Sequence, residues 1–125
     1  MRAKIRHLKT AIYDRWEAIE IIREYFIEKQ EPELFSKHIR LFREEFANKE
    51  KLLRKNPCLY KVREDYPFNE LDQEIRSFIV HWFTVFYYYD GEYVSIVYIR
   101  SSRSDFTLIP FLKRECGDIC QTGFL

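Results

Sequence analysis

No stretch of this sequence approaches the run of about 18 uncharged apolar residues that a helix needs to cross a bilayer, which excludes a membrane-spanning helix. The opening residues, MRAKIRHLKT, lack the apolar core of a secretory signal, so the expected location is the cytoplasm, with no membrane among the partners. Cysteine is sparse and odd in number. Cys58, Cys116 and Cys120 argue against a disulfide framework, and without an export signal reduced thiols are expected. Cys116 and Cys120 could share a helix face and bind a metal or oxidise together, but a pair with no histidine nearby is a poor ligand set. Neither a metal nor another cofactor is expected. A charge surplus is also lacking. Against 20 Asp and Glu stand 21 Lys and Arg, a formal charge of +1, far from the basic excess that drives attraction to phosphate. Internal repeats and low-complexity linkers are absent.

What is present suits one domain over residues 1–125: the chain is 46% hydrophobic, long enough for its own core and too short for two. Aromatic residues make up 18%, and many of them fall between residues 78 and 98, so a sheet there carries a large share of the burial. Charge is polarised locally. Arg2, Lys4, Arg6 and Lys9 cluster without an acid, whereas Asn69 to Glu74 is acidic.

The most informative segment is RSFIVHWFTVFYYYDGEYVSIVYIRSSR, residues 76–103, in which two dense runs of β-branched and aromatic residues meet at Asp90-Gly91. Asp-Gly between such runs predicts a β-hairpin, because a tight primed turn needs positive φ and glycine takes it without steric cost. This hairpin delivers Arg100 and Arg103 to one end of a sheet. Ile75 to Val80 is a further extended segment, joined to Phe83–Tyr89 by a tight connection at His81-Trp82, so three strands form an antiparallel meander. Leu59 to Val62 predicts another short strand, and Tyr66 to Asn69 a turn.

Upstream, AKIRHLK at residues 3–9 alternates as a short first strand with Ile5 and Leu8 buried. From Thr10, a plausible N-cap, the period changes: Ile12, Trp16, Ile19, Ile22 and Phe26 line one face of a helix that Glu31-Pro32 ends. Pro32 suits the first position of a second helix, whose apolar stripe is Phe35, Ile39, Phe42, Phe46 and Leu53 and which stops before Asn56-Pro57. Two helices joined by a few residues run antiparallel, and their wide apolar faces need a sheet to lie on. The fold class is therefore α+β: an N-terminal strand, an α-helical hairpin, then an antiparallel β-meander. The tail from about 104 to 125 has apolar residues around Pro110 and fits a short helix or a strap equally.

This order of parts resembles the RelE/ParE superfamily of toxins from bacterial type II toxin–antitoxin modules, over nearly the whole chain. The likeness is closest from Ile75 to Arg103, where the sequence resembles a family pattern of Ile-Arg-x3-Val, an aromatic, a hydrophobic-x-Tyr before an acidic turn, and a β-rich strand ending in x-Ser-Arg. FSKHIRLFREEFANKEKLLRKNP resembles the family's second helix. The resemblance implies a growth-inhibiting toxin, of the kind associated with plasmid stabilization, and a cognate antitoxin as partner, in a hetero-oligomer that covers an apolar groove on the hairpin and sheet. Two targets follow from it. RelE-like members are metal-independent endoribonucleases acting on mRNA at the ribosome, and ParE-like members inhibit DNA gyrase.

Metal-free RNA cleavage requires a base for the 2′-hydroxyl, cations for the transition-state charge and an acid for the leaving oxygen. If the chain is RelE-like, the resemblance assigns these tasks to Arg103, Lys61 and Arg63. The last two alternate in Tyr60-Lys61-Val62-Arg63 and would share one face of an extended segment. Phe83, however, stands where RelE-like enzymes often have arginine, and Phe106 occupies the region where a proton donor would follow Arg103. A phenyl ring transfers no proton, which favours the ParE-like reading, with Arg76, Arg100 and Arg103 as target-binding residues and gyrase ahead of mRNA. A noncatalytic interaction module of the same architecture is the reading outside the family.

Structural roles compete with each assignment. Arg103 could pair with Asp105, Arg76 could brace the sheet, and Lys61 and Arg63 could be neutralised by Glu64 and Asp65. His81 fits a turn histidine packed near Trp82 better than a general base, and Tyr87 and Tyr89 fit core packing, with Tyr88 on the other face, better than a stacking platform for bases.

Overall fold

Asp90 organises the hairpin that the sequence announces. Its Oδ1 accepts hydrogen bonds from the backbone N–H of Glu92 (2.9 Å) and of Tyr93 (2.8 Å), and its own N–H donates to the Tyr93 carbonyl (3.2 Å). The two central residues are thus Gly91 and Glu92, one position later than the Asp-Gly signal suggests, and Gly91 alone takes positive φ, at 101°. Glycine at the first central position is the type II′ pattern, whose twist matches that of the flanking strands.

The structure, a computed structural model, describes residues 2–103 and Phe106. The rest of the expected tail, with Asp105, Cys116 and Cys120, lies outside the described residues. The elements are β1 (Lys4–His7), α1 (Lys9–Glu28), α2 (Glu33–Lys55), a short 3₁₀ turn (Phe68–Glu70), β2 (Arg76–Val80), β3 (Phe83–Tyr89) and β4 (Tyr93–Ser101). The sheet order is β1-β4-β3-β2. The meander is antiparallel as expected, while β1 joins the far edge parallel to β4, with Ile5 opposite Val94 and His7 opposite Ile96.

The pairing of β3 with β4 slips between Phe86 and Tyr87, which oppose Tyr98 and Ile96 and leave Val97 as an extra residue on β4. A bulge turns adjacent side chains to one side. Ile96 and Ile99 accordingly face the helices, while Val97 and Tyr98 both face the opposite surface. The helix-facing core unites Phe42 and Phe46 of α2 with Phe78, Val80, Phe83, Val85 and Tyr87 of the sheet. The outer face is a second, smaller cluster of Phe68, Ile75, Phe86, Val97 and Tyr98, on which Phe106 packs. Tyr87 and Tyr89 lie on the helix side and Tyr88 on the outer side, as alternation requires.

Four expectations are corrected. Trp16 is not in the core: it is 57% exposed, and the buried stripe of α1 is Ala11, Asp14, Arg15, Ala18, Ile22 and Phe26. Alanines 1% exposed at positions 11 and 18 bring the helix backbone close to the sheet, leaving no room on that side for an indole. Thr10 lies inside α1 rather than at its N-cap, and its hydroxyl donates instead to the Val97 carbonyl at 2.6 Å. Pro32 precedes α2 as its N-cap. Leu59 to Val62 forms no strand: Val62 makes a single antiparallel bridge to Arg76, and the Tyr60 carbonyl is taken by the Arg76 guanidinium at 2.6 Å, so side chains replace the ladder there.

Candidate functional surface

The C-terminal end of β4 carries Arg100 opposite Thr84 and Ser101 opposite Phe83, after which the Ser102 N–H bonds the Trp82 carbonyl at 2.9 Å. The hydroxyls of Thr84 and Ser102 lie 3.0 Å apart. These bonds fix the base of the loop that bears Arg103. Arg103 is exposed, its backbone N–H donates to Ser101 Oγ at 3.3 Å, and its guanidinium has no ion-pair or hydrogen-bond partner among the described residues. It is the cation most available to a partner at this end.

Arg100 is held more tightly. Its guanidinium lies 5.1 Å from the centre of the Tyr98 ring, and its Nε stands 3.5 Å from Asp14 Oδ2, an ion pair whose geometry leaves the buried Nε without a hydrogen bond. Asp14 also accepts the Ile99 N–H at 3.0 Å, completing the edge of β4 where β1 has ended. Burial pushes the Asp14 carboxyl up to about 6, against the opposing effects of the Ile99 N–H and Arg100. Sequence reasoning missed this residue. The one available signal was an acid in register with the buried stripe, three positions after Ala11 and four before Ala18.

Arg76, Lys61 and Arg63 stand at the other end of the sheet. Arg76 pairs in register with Tyr87, whereas Arg103 follows the residue opposite Phe83, so the structure does not bring Arg76 to Arg100 and Arg103. Arg76 donates to the carbonyls of Tyr60 (2.6 Å) and Cys58 (3.4 Å) and lies 3.8 Å from Glu74, a bracing position. An open depression of about 850 Å³ runs along Cys58 to Asp65 and takes in Arg76 and Ser77, so Lys61, Arg63 and Arg76 share its lining. Lys61 is exposed there.

Arg63 is neutralised as its neighbours suggest. It makes two bonds to Asp65, at 2.9 and 2.8 Å, and one to Ser77 Oγ at 3.2 Å. That guanidinium holds the Asp65 carboxyl below the usual carboxylate range. Arg63 also lies over three rings of the outer face: Phe68 at 4.9 Å, Phe86 at 5.5 Å and Phe106 at 5.4 Å. The chain after Arg103 therefore brings Phe106 back to Arg63. Phe83 points the other way, 1% exposed and 5.6 Å from the Phe42 ring, so this position faces the core and not the outer surface.

The histidines lie on the helix side. His7 is buried 2.8 Å from Glu50. His81 has positive φ, 56°, in the β2–β3 turn, where its N–H donates to Glu45 (2.7 Å) and its Nε2 meets His38 Nδ1 at 2.9 Å. Burial, then His38, lowers its proton affinity. Its ring lies 4.4 Å from Trp82, the packing role expected of it. Among the described residues no three His, Cys, Asp or Glu groups are arranged to hold a metal, and no helix is long and apolar enough to cross a membrane.

No family model and no curated protein matches this sequence. A solved structure does: a chain of the "Chromosomal ParDE TA system from P. aeruginosa" is similar with a TM-score of 0.51 over 80% of this chain and 96% of that one, at 14% identity. The α+β fold is shared with that chain of the ParDE structure. In this chain the helical hairpin packs on one side of the sheet, and Arg103, after the end of β4, is exposed.

Proposed function

We propose that this chain is the toxin of a type II toxin–antitoxin module, that it works in the cytoplasm under the control of a cognate antitoxin, and that it inhibits DNA gyrase by binding in the ParE manner. The observation that carries this reading is the contrast between Arg103, exposed and unpaired among the described residues, and the other candidate arginines and the histidines. Arg63 is bound to Asp65, Arg76 to backbone carbonyls, and the three histidines lie on the helix side. Among the described residues the acid nearest this end, Asp14, is buried and holds the Ile99 N–H, and a surface with an exposed cation and no exposed proton-transfer group suits binding better than general acid–base cleavage. The similarity to a ParDE chain supports the class.

One arrangement favours the RelE-like alternative: Arg63 and Phe106 meet on the outer face, with Lys61 nearby in the chain. In that case Arg103, Lys61 and Arg63 would act on mRNA without a metal, with the ring of Phe106 in place of a donor.

Induced expression of the wild type in a bacterial host arrests growth, and Arg103→Ala relieves the arrest while its circular dichroism matches that of the wild type. Gyrase supercoiling assays with the purified chain show inhibition, and primer extension on cellular mRNA shows no new cleavage. Cleaved mRNA with intact supercoiling replaces the gyrase reading with the nuclease. Normal growth of both strains at equal soluble expression removes the toxin reading in favour of an interaction module.

A further inference from the structure

We propose that the hydrogen bond between His38 and His81 is a latch, closed at neutral pH and released by acid, that ties the turn anchoring the Arg103 loop to the helical hairpin.

The pair is built across the fold. His38 lies on α2 and His81 in the β2–β3 turn, 43 residues apart, with His38 Nδ1 and His81 Nε2 separated by 2.9 Å. Their ring centres are 5.1 Å apart, close to the nitrogen separation plus two ring radii, so the two nitrogens point at one another along nearly one line. That is the geometry of a hydrogen bond and not of two ligands converging on a metal. One facing nitrogen carries the proton and the other accepts it. His81 Nδ1, buried without a partner, assigns the tautomer: a proton there would have no acceptor, so His81 holds its proton on Nε2 and donates it to His38 Nδ1.

This arrangement has no place for a third proton. The neutral pair carries one N–H on each ring. An added proton goes either to His38 Nδ1, setting two N–H groups head to head, or to His81 Nδ1, leaving a buried N–H without an acceptor. Both outcomes drive the rings apart. Burial, then His38, lowers the proton affinity of His81, and the opposing charge is Glu45 on α2, whose carboxylate accepts the His81 backbone N–H. From α1 the pair faces the uncharged Phe26 and, across Trp82, Tyr25 with Lys29 Nζ 5.6 Å from its ring; from β3 it faces Phe83. None of these supplies an acceptor for His81 Nδ1. With its folded-state affinity lowered, the contribution of His81 is intact above the ordinary histidine value of about 6.5 and is lost as pH falls below it. His81 also sits at positive φ, 56°, a conformation that costs energy in a residue with a Cβ, so the turn depends on its tethers.

The latch holds Trp82. The indole lies 5.8 Å from the His38 ring and 4.4 Å from that of His81, and the Trp82 carbonyl takes the Ser102 N–H at the base of the Arg103 loop. Release frees the indole and removes an anchor from the arginine that the toxin reading places at the target. The latch itself does not depend on that reading.

The test follows Trp82 in the full chain carrying Trp16→Phe, which leaves it the only tryptophan. Acrylamide quenching should rise at least about twofold between pH 7.5 and 4.5 with far-UV dichroism unchanged, and nitrogen NMR of the imidazoles should show His81 protonating over the same range. His81→Asn, which does not titrate and tolerates positive φ, should remove the dependence on pH. So should His38→Phe, which keeps a ring against Phe26 and Trp82. Asp14, which titrates in the same range on the β4 edge, is the control, and Asp14→Asn should leave the rise intact. A flat response in the parent, a rise that survives either histidine variant or vanishes with Asp14→Asn, or dichroism that falls in step with the quenching overturns the latch. Gyrase and growth enter none of these readings, so failure of the toxin reading leaves them standing.

Discussion

Asp14 shows how one side chain ties the fold to the surface that Arg103 dominates. Its carboxylate completes the β4 edge and neighbours Arg100, yet burial makes the charge costly. With a folded pKa of about 6 above an ordinary 3.8, the folded state holds this proton more firmly than the unfolded chain does. The stability contributed is therefore fully present below about pH 4 and is lost as pH rises through 6. Asp14→Asn keeps an acceptor for the Ile99 N–H and removes the titration. Urea unfolding at pH 4.5 and 7.5 should show the variant gaining on wild type at the higher pH, by about 2 kcal/mol. A second contrast at this scale sets Trp16 against Phe42. The two are similar large aromatics in the sequence, but Phe42 is fully buried between Phe46 and Phe83 and Trp16 is mostly exposed. Truncation of Phe42 to Ala should cost about 3–5 kcal/mol and truncation of Trp16 less than about 0.5, read from the same unfolding curves. The apolar spacing of α1 predicts Trp16 in the core just as that of α2 predicts Phe42, because periodicity finds a face without saying which of two overlapping faces meets the sheet.

Among the elements, the hairpin and the helical pair were legible because their instructions are local. Gly91 illustrates this: a Cβ there would meet nothing within 4 Å, so a cost of Gly91→Ala comes from its φ of 101° alone. The expected loss is about 1–2 kcal/mol in equilibrium unfolding, with no change in the strands' pairing by NMR. The segment Leu59 to Val62 was not legible in the same way. Its alternation suits a strand, but Arg76 claims the Tyr60 carbonyl and Tyr60 packs on Phe78, leaving one bridge in place of a ladder. The bulge at Val97 was equally hidden, since a continuous β-branched and aromatic run reads the same with or without an extra residue.

In the whole molecule, β1 is the piece that closes the sheet. It adds parallel to β4, and from its end α1 continues along the same edge with Thr10 and Asp14 supplying the bonds that a longer strand would have made. Ile5, buried opposite Val94, sits at this closure. Ile5→Asp should therefore destabilise the domain globally, by more than about 3 kcal/mol, with thermal melts by far-UV and near-UV dichroism shifting together. Local fraying of residues 2–8 with an unchanged melt would assign β1 a peripheral role instead.

Local signals in the chain set the order of the elements, the apolar stripe of α2, the meander and the residues Arg100 and Arg103 at its end, because periodicity, proline positions and a glycine turn act over a few neighbouring residues. Packing set the availability of Arg76, Arg100 and Arg103. Arg63 meets Asp65 two residues along the chain, but Arg76 and Arg100 are reached by the carbonyl of Tyr60 and by Asp14 only once distant segments are packed together. Charge pairing across a fold depends on distance in space, and that is set by the core that brings β1, α1 and the sheet edge to one place.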